Sequence, residues 1–285
     1  VNNSSEAVLP SEIISDPDFA VPDISPDRPY WGVWTGIGVW AISVALIVLF
    51  PSLFLLPYVT ASGMNFESAA DFAAFATTDK TAIIIRIAAI FPAHLLTLAV
   101  AWLAVTRIDR FSFFRSLGWN SAGVRWWHYA VILAGFFVTI IALNSVIPFR
   151  EDELDRIVRS SQAALYLVVA MAVLTAPLVE EVVYRGVMFA PFKRRFGTTA
   201  AVVVVTAVFT FVHVFQYAAN PGKIVLLMLL SLVLTLLRAG TGSLMPCVIL
   251  HTLFNAVNST LILAEPYVKE SLPDTVPGAL LRVIQ

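Results

Sequence analysis

The chain is short of charge. Only 13% of its 285 residues are Asp, Glu, Lys or Arg, while 59% are hydrophobic. Soluble domains carry about a quarter charged residues, so this composition points to an integral membrane protein. The formal net charge of −1 offers no footprint for nucleic acid, and no nucleic-acid partner is expected. A single cysteine, Cys247, excludes an intrachain disulfide and any multi-cysteine metal site. It lies in an apolar run, where a packed or lipid-facing residue is expected rather than a nucleophile. No basic stretch followed by an apolar core opens the chain, so no signal peptide is expected. There is no His-Glu-x-x-His and no P-loop. Gly240-Thr241-Gly242-Ser243 has no glycine after the serine and no Asp after the second glycine. It reads as a loop or helix start, not as a serine or aspartyl protease site.

Long apolar runs are what the chain does have. About 20 mainly apolar residues cross a bilayer as a helix. Candidate spans are 31–58, 81–106, 126–147, 163–190, 199–219, 223–238 and 243–264. The fold expected is all-α, a polytopic membrane bundle of about seven transmembrane helices. Segment 63–78 is expected to lie at the interface as a short amphipathic helix. Pro51 and Pro57 are expected to end or kink the first span. The organisation expected is a polar, disordered tail over 1–30, membrane helices over 31–162, a further set of membrane helices carrying the polar groups described below over 163–264 and a C-terminal tail over 265–285.

Basic residues set orientation. With seven spans, Arg107, Arg110, Arg115, Lys193, Arg194, Arg195 and Arg238 share the side of the N-terminus, which is taken as cytoplasmic. Arg150, Arg156 and Arg159 lie opposite.

Three polar groups interrupt the later spans. Glu180, Glu181 and Arg185 sit within 163–190, Phe209 and His213 within 199–219, and His251 and Asn255 within 243–264. Charges at bilayer depth are costly and usually functional. At about 1.5 Å per residue, Glu180 lies roughly 15 Å, His213 roughly 21 Å and His251 roughly 12 Å from the same membrane side. Adjacent glutamates diverge by about 100° around a helix. Glu181 is spaced i,i+4 from Arg185 with the acid first, a favourable ion pair. That leaves Glu180 to face a reaction centre. Pro177 withdraws the usual donor from the Val173 carbonyl and could open the bundle to water. A carboxylate with an imidazole can deprotonate water, and a second His with an Asn can donate to an oxyanion. Tyr184 and Phe209 are expected to line the site. His94, with no polar neighbour on its helix face, and His128, beside Trp126 and Trp127, are expected to be structural or interfacial. Arg86 is expected to snorkel.

In order, these groups read Glu-Glu-x-x-x-Arg, Phe-x-x-x-His and His-x-x-x-Asn. The chain resembles in this the CPBP family, which contains the type II CAAX prenyl endopeptidases and bacteriocin-processing or immunity proteins. The resemblance covers about 165–263. It implies an intramembrane endopeptidase in which Glu180 and His213 activate water, Glu181 and Arg185 shape the site, and His251 and Asn255 bind the oxyanion. Its partners would be the bilayer and a peptide or membrane-anchored substrate, prenylated or not. A metal-free, glutamate-type site is the expectation. The alternative is Zn²⁺ held by Glu180, His213 and His251 with water as the fourth ligand. Val1 suggests a non-Met start codon and hence a bacterial cell membrane. Two other readings are a non-catalytic scaffold or immunity protein of the same fold, and a small transporter, for which no paired repeats are seen.

Overall fold

A computed structural model describes residues 25–147 and 150–271. The disordered tail expected over 1–30 therefore falls outside the described residues up to 24, as does the C-terminal tail from 272 onward.

Ten helices are described: α1 (Val33–Ala61), α2 (Ala69–Thr78), α3 (Lys80–Thr106), α4 (Phe113–Leu117), α5 (Trp126–Val146), α6 (Glu153–Ser160), α7 (Gln162–Phe196), α8 (Thr198–Val214), α9 (Pro221–Thr241) and α10 (Met245–Ser271). Six of them (α1, α3, α5, α7, α9 and the Met245–Glu265 part of α10) are long and apolar enough to cross a membrane. The span expected over 199–219 is the seventh, and it is only 17 residues long. Its last turn is lost just before Asn220-Pro221, where Asn220 caps α9 by accepting from the Lys223 amide. α1 runs unbroken through Pro51 and Pro57. The expected interfacial helix is α2, started by Ser68, whose hydroxyl accepts from the Asp71 amide. The acidic-basic stretch around 150–159, a loop by sequence, contains α6. There Asp152 and Asp155 cap the helix and both pair with Lys223, at 2.7 and 2.9 Å.

Many large apolar side chains point outward, among them Val48, Leu49, Leu95, Val138, Ile141, Leu174, Val203 and Phe211. Helices apolar on every side belong to a membrane or a large core. The main core gathers around the middle of α7, where Val182, Val183, Val187, Met188 and Phe189 meet Trp31, Ala101, Val105, Phe209 and Leu244.

Residues 26–31 form a strap across the end of this bundle. Asp27 pairs with Lys193 at 2.8 Å and with Arg238 at 3.4 Å. Arg238 also donates to the Pro26 carbonyl at 2.8 Å. Arg194 donates to the carbonyls of Pro29 and Trp31. The Tyr30 hydroxyl donates to the Ala104 carbonyl. Arg238 is fully buried, although the sequence places it in a cytoplasmic loop.

The turn after α4 locks onto the start of α10. The Gly118 carbonyl accepts from the Leu244 amide at 2.9 Å and from the Ser243 hydroxyl. Gly118 has φ +73°, and a Cβ there would stand 2.7 Å from the Gly242 carbonyl oxygen. Gly118→Ala adds backbone strain to a clash with main chain. It is expected to destabilise the protein by roughly 2 kcal/mol or more. Thermal unfolding in detergent reads this out, and an unchanged midpoint would contradict it.

Candidate active site

Two π-turns in α7 carry the site. The first, Met171–Thr175, is marked by the Ala176 amide donating to the Met171 carbonyl, an i→i+5 bond. The second, Val182–Met188, is marked by the Phe189 amide donating to the Tyr184 carbonyl. Such turns recur at functional sites because each inserts a residue and frees backbone groups. Within a bilayer the freed groups need partners from other helices. In the register of the first turn, the Ala172 carbonyl would take its bond from residue 177, a proline. Asn255 supplies the bond instead, its amide 2.8 Å from that oxygen. The vacancy thus falls one residue before Val173, where a plain α-helix would have put it. The Val187 carbonyl faces Pro191 four residues on, and the Trp31 indole N–H donates to it at 2.9 Å. The Arg185 carbonyl accepts from Arg238 Nε at 3.1 Å.

Arg185 is fully buried and its guanidinium is well satisfied. It donates to Glu181 Oε1 at 3.0 Å, to Thr235 Oγ1 at 3.1 Å, and to the Ser231 carbonyl and hydroxyl at 3.0 and 2.7 Å. Its charge also lies 4.7 Å over the Phe209 ring. Ser231 and Thr235 are site residues that the sequence reading misses. Their signal is the same i,i+4 spacing on an apolar helix that marks the other groups.

Glu181 is likewise fully buried. Its Oε1 takes both the Arg185 bond and one from His251 Nδ1 at 2.9 Å. Among the described residues its Oε2 has no hydrogen-bond partner. Glu180, 23% exposed at its side chain, is turned away from Arg185, and its Oε2 lies 3.8 Å from His251 Nε2. That is too long for a hydrogen bond, so both atoms are open to a third group.

Phe209 joins the remaining residues. Its buried ring lies 5.1 Å from Tyr184, 4.8 Å from His213 and 6.2 Å from His251, between centroids. Tyr184 is held by the Trp40 indole, at 3.2 Å. His213 Nδ1 is 2.8 Å from the Phe209 carbonyl. A carbonyl only accepts, so Nδ1 carries the hydrogen and Nε2 of the neutral ring keeps its lone pair.

The same logic constrains His251. Glu181, paired with an arginine that cannot be deprotonated, is a carboxylate. His251 therefore donates from Nδ1, and it can donate from Nε2 as well only as an imidazolium.

Both imidazoles are anchored through Nδ1, as zinc-bound histidines often are. Yet among the described residues no three His, Cys, Asp or Glu side chains gather as a metal site.

His94, by sequence a lone histidine on its helix face, has a partner across the bundle. It is buried, and its Nδ1 is 2.9 Å from Thr175 Oγ1 in the first π-turn. His128 takes a capping role, its Nδ1 accepting from the Arg125 amide at 2.9 Å. Arg86 donates inward to the Ala76 carbonyl at 2.7 Å. Cys247 is buried, with its thiol toward the Leu234 carbonyl.

A family model described as type II CAAX prenyl endopeptidase Rce1-like matches residues 162–257. No curated protein and no solved structure matches the chain.

Proposed function

The chain belongs to that family through residues 162–257, and from this premise we propose a metal-free intramembrane endopeptidase that uses Glu180 as its base. It is an integral membrane protein, with six helices long and apolar enough to span among the described residues. Its substrate class is a peptide or a membrane-anchored protein.

The observation that carries the mechanism is the division of labour between the glutamates. Glu181 is committed to Arg185 and His251, while Glu180 is partly exposed and faces His251 Nε2. In the proposed reaction, Glu180 takes a proton from water, which His213 Nε2 helps to orient by accepting its other hydrogen. The water oxygen attacks the scissile carbonyl. The oxyanion takes hydrogen bonds from His251 Nε2–H and from the second amide hydrogen of Asn255, whose first is spent on Ala172. Protonated Glu180 then gives its proton to the leaving amine, and the C–N bond breaks. The charge count is the same on both sides of the attack. Glu180 becomes neutral as the oxyanion becomes negative, so the net charge beside His251, whose Nδ1 stays on Glu181, does not change. No solvent reorganisation is needed to follow the charge, which is the advantage of a preorganised site. We place the strap end of the bundle, with Lys193 and Arg194, on the cytoplasmic side.

The test is cleavage of a panel of lipidated and unlipidated peptides by purified protein in liposomes, with and without chelator. The wild type is expected to cleave at least one peptide at the same rate in both conditions. His213→Ala is expected to lose roughly 10²-fold or more in kcat. Loss of activity in chelator, restored by zinc, would overturn the metal-free mechanism. A phenotype in cells retained by His213→Ala would point to a scaffold.

A further inference from the structure

His94 lies outside the segment that matches the family, on the face of α3 that buries Ala93, Thr97 and Ala101. Its neighbours Leu95 and Leu96 are 68% and 45% exposed, whereas His94 is 4% exposed. A buried imidazole at bilayer depth needs a partner, and His94 finds it across the bundle in Thr175. The Thr175 hydroxyl donates to the Met171 carbonyl at 3.3 Å. Its oxygen is then left to accept, so His94 Nδ1 is the donor. The Met171 carbonyl is the one that receives the i→i+5 bond from Ala176. A chain of hydrogen bonds thus runs from α3 to the bond that defines the first π-turn. Asn255 holds the next carbonyl, that of Ala172, from the other side.

This turn sets the phase of α7. Each residue advances a helix by about 100°, so removing the inserted residue would rotate the C-terminal part of α7 against its N-terminal part. Glu180 comes five positions after Thr175, beyond the turn. We propose that His94 is a positioning residue for Glu180, acting through Thr175 to hold the π-turn at Met171–Thr175. It rests on the peptidase reading above, because its role is to aim the base of that reaction.

Three variants test it. His94→Asn keeps a donor near the Nδ1 position, His94→Leu removes it, and Thr175→Val removes the acceptor at nearly constant volume. His94→Leu and Thr175→Val are each expected to lower kcat by up to about 10²-fold, the scale of a misaimed catalytic group, with KM within about twofold. His94→Asn should recover most of the loss. The double variant should be no worse than the worse single one, since both break one path. Wild-type kcat in His94→Leu, or no recovery by Asn, would overturn the proposal, as would multiplying effects in the double variant. An activity-free readout covers the case in which the variants fold poorly or the wild type cleaves nothing. Hydrogen exchange at the Ala176 amide should quicken in His94→Leu while amides of α9 stay protected. Unchanged exchange at Ala176 would overturn the proposal. Absence of cleavage by the wild type would instead remove the peptidase reading and leave the hold on the turn to this measurement.

Discussion

Glu180→Gln is expected to lower kcat by roughly 10²–10⁴-fold and to leave thermal stability close to wild type. The substitution keeps the shape of the side chain and removes its ability to take a proton. Glu180 makes no direct bond that the fold depends on. Its side chain is 23% exposed and 3.8 Å from the nearest imidazole nitrogen. KM should change little, because in the proposed reaction the carboxylate acts on water rather than on the peptide. Steady-state cleavage in liposomes and an unfolding curve in detergent, made on the same preparation, separate the two effects. Full activity in Glu180→Gln would remove Glu180 from the chemistry. Lost activity with a large drop in unfolding midpoint would make it structural. The adjacent glutamate is expected to behave differently, since Glu181 is fully buried and bonded on one oxygen to two partners.

The largest effect on stability is expected at Arg185. Arg185→Met retains most of the volume but leaves the Glu181 charge in the core without its cation. Breaking a buried pair on one side costs about 3–5 kcal/mol. The hydroxyls of Ser231 and Thr235 also lose the donors they now receive. Adding Glu181→Gln to Arg185→Met should return part of the loss, because no uncompensated charge then remains. Equilibrium unfolding in mixed detergent gives the three values, and the double variant should lie between Arg185→Met and wild type. A double variant less stable than Arg185→Met would mean that the pair is not the source of the cost.

The helical class and the α7 constellation are legible in the sequence because both depend on local spacing. Glu181 and Arg185 lie on one helix face whatever the tertiary fold, as do Phe209 with His213 and His251 with Asn255. Contacts set by packing between distant helices are not legible in this way. His94 has no polar neighbour on its own face; its partner Thr175 reaches it from α7. Trp31 gives no sign that it will complete a carbonyl stripped by Pro191, because nothing local ties an indole to a proline 160 positions on. Pro177 does mark a source of unpaired backbone. The i→i+5 register moves the unpaired carbonyl to Ala172, and Asn255, expected as an oxyanion donor, spends one amide hydrogen holding it. Arg238 shows the limit of counting basic residues in loops. It sits in the last turn of α9 and is completely buried.

That burial bears on the order in which the protein is made. A buried arginine in a membrane helix carries an insertion cost unless its charge is partnered. Arg238 is relieved of this by Pro26 and Asp27, which lie 212 and 211 positions earlier. The strap leaves the ribosome before α1, yet one of its main partners arrives only with α9. Until then Asp27 has Lys193 alone from α7, and the early part of the chain must wait at the membrane surface, half docked. A nascent chain halted before α9 should therefore leave Asp27 more open to solvent reagents than one halted after α10, in which its side chain is 40% exposed.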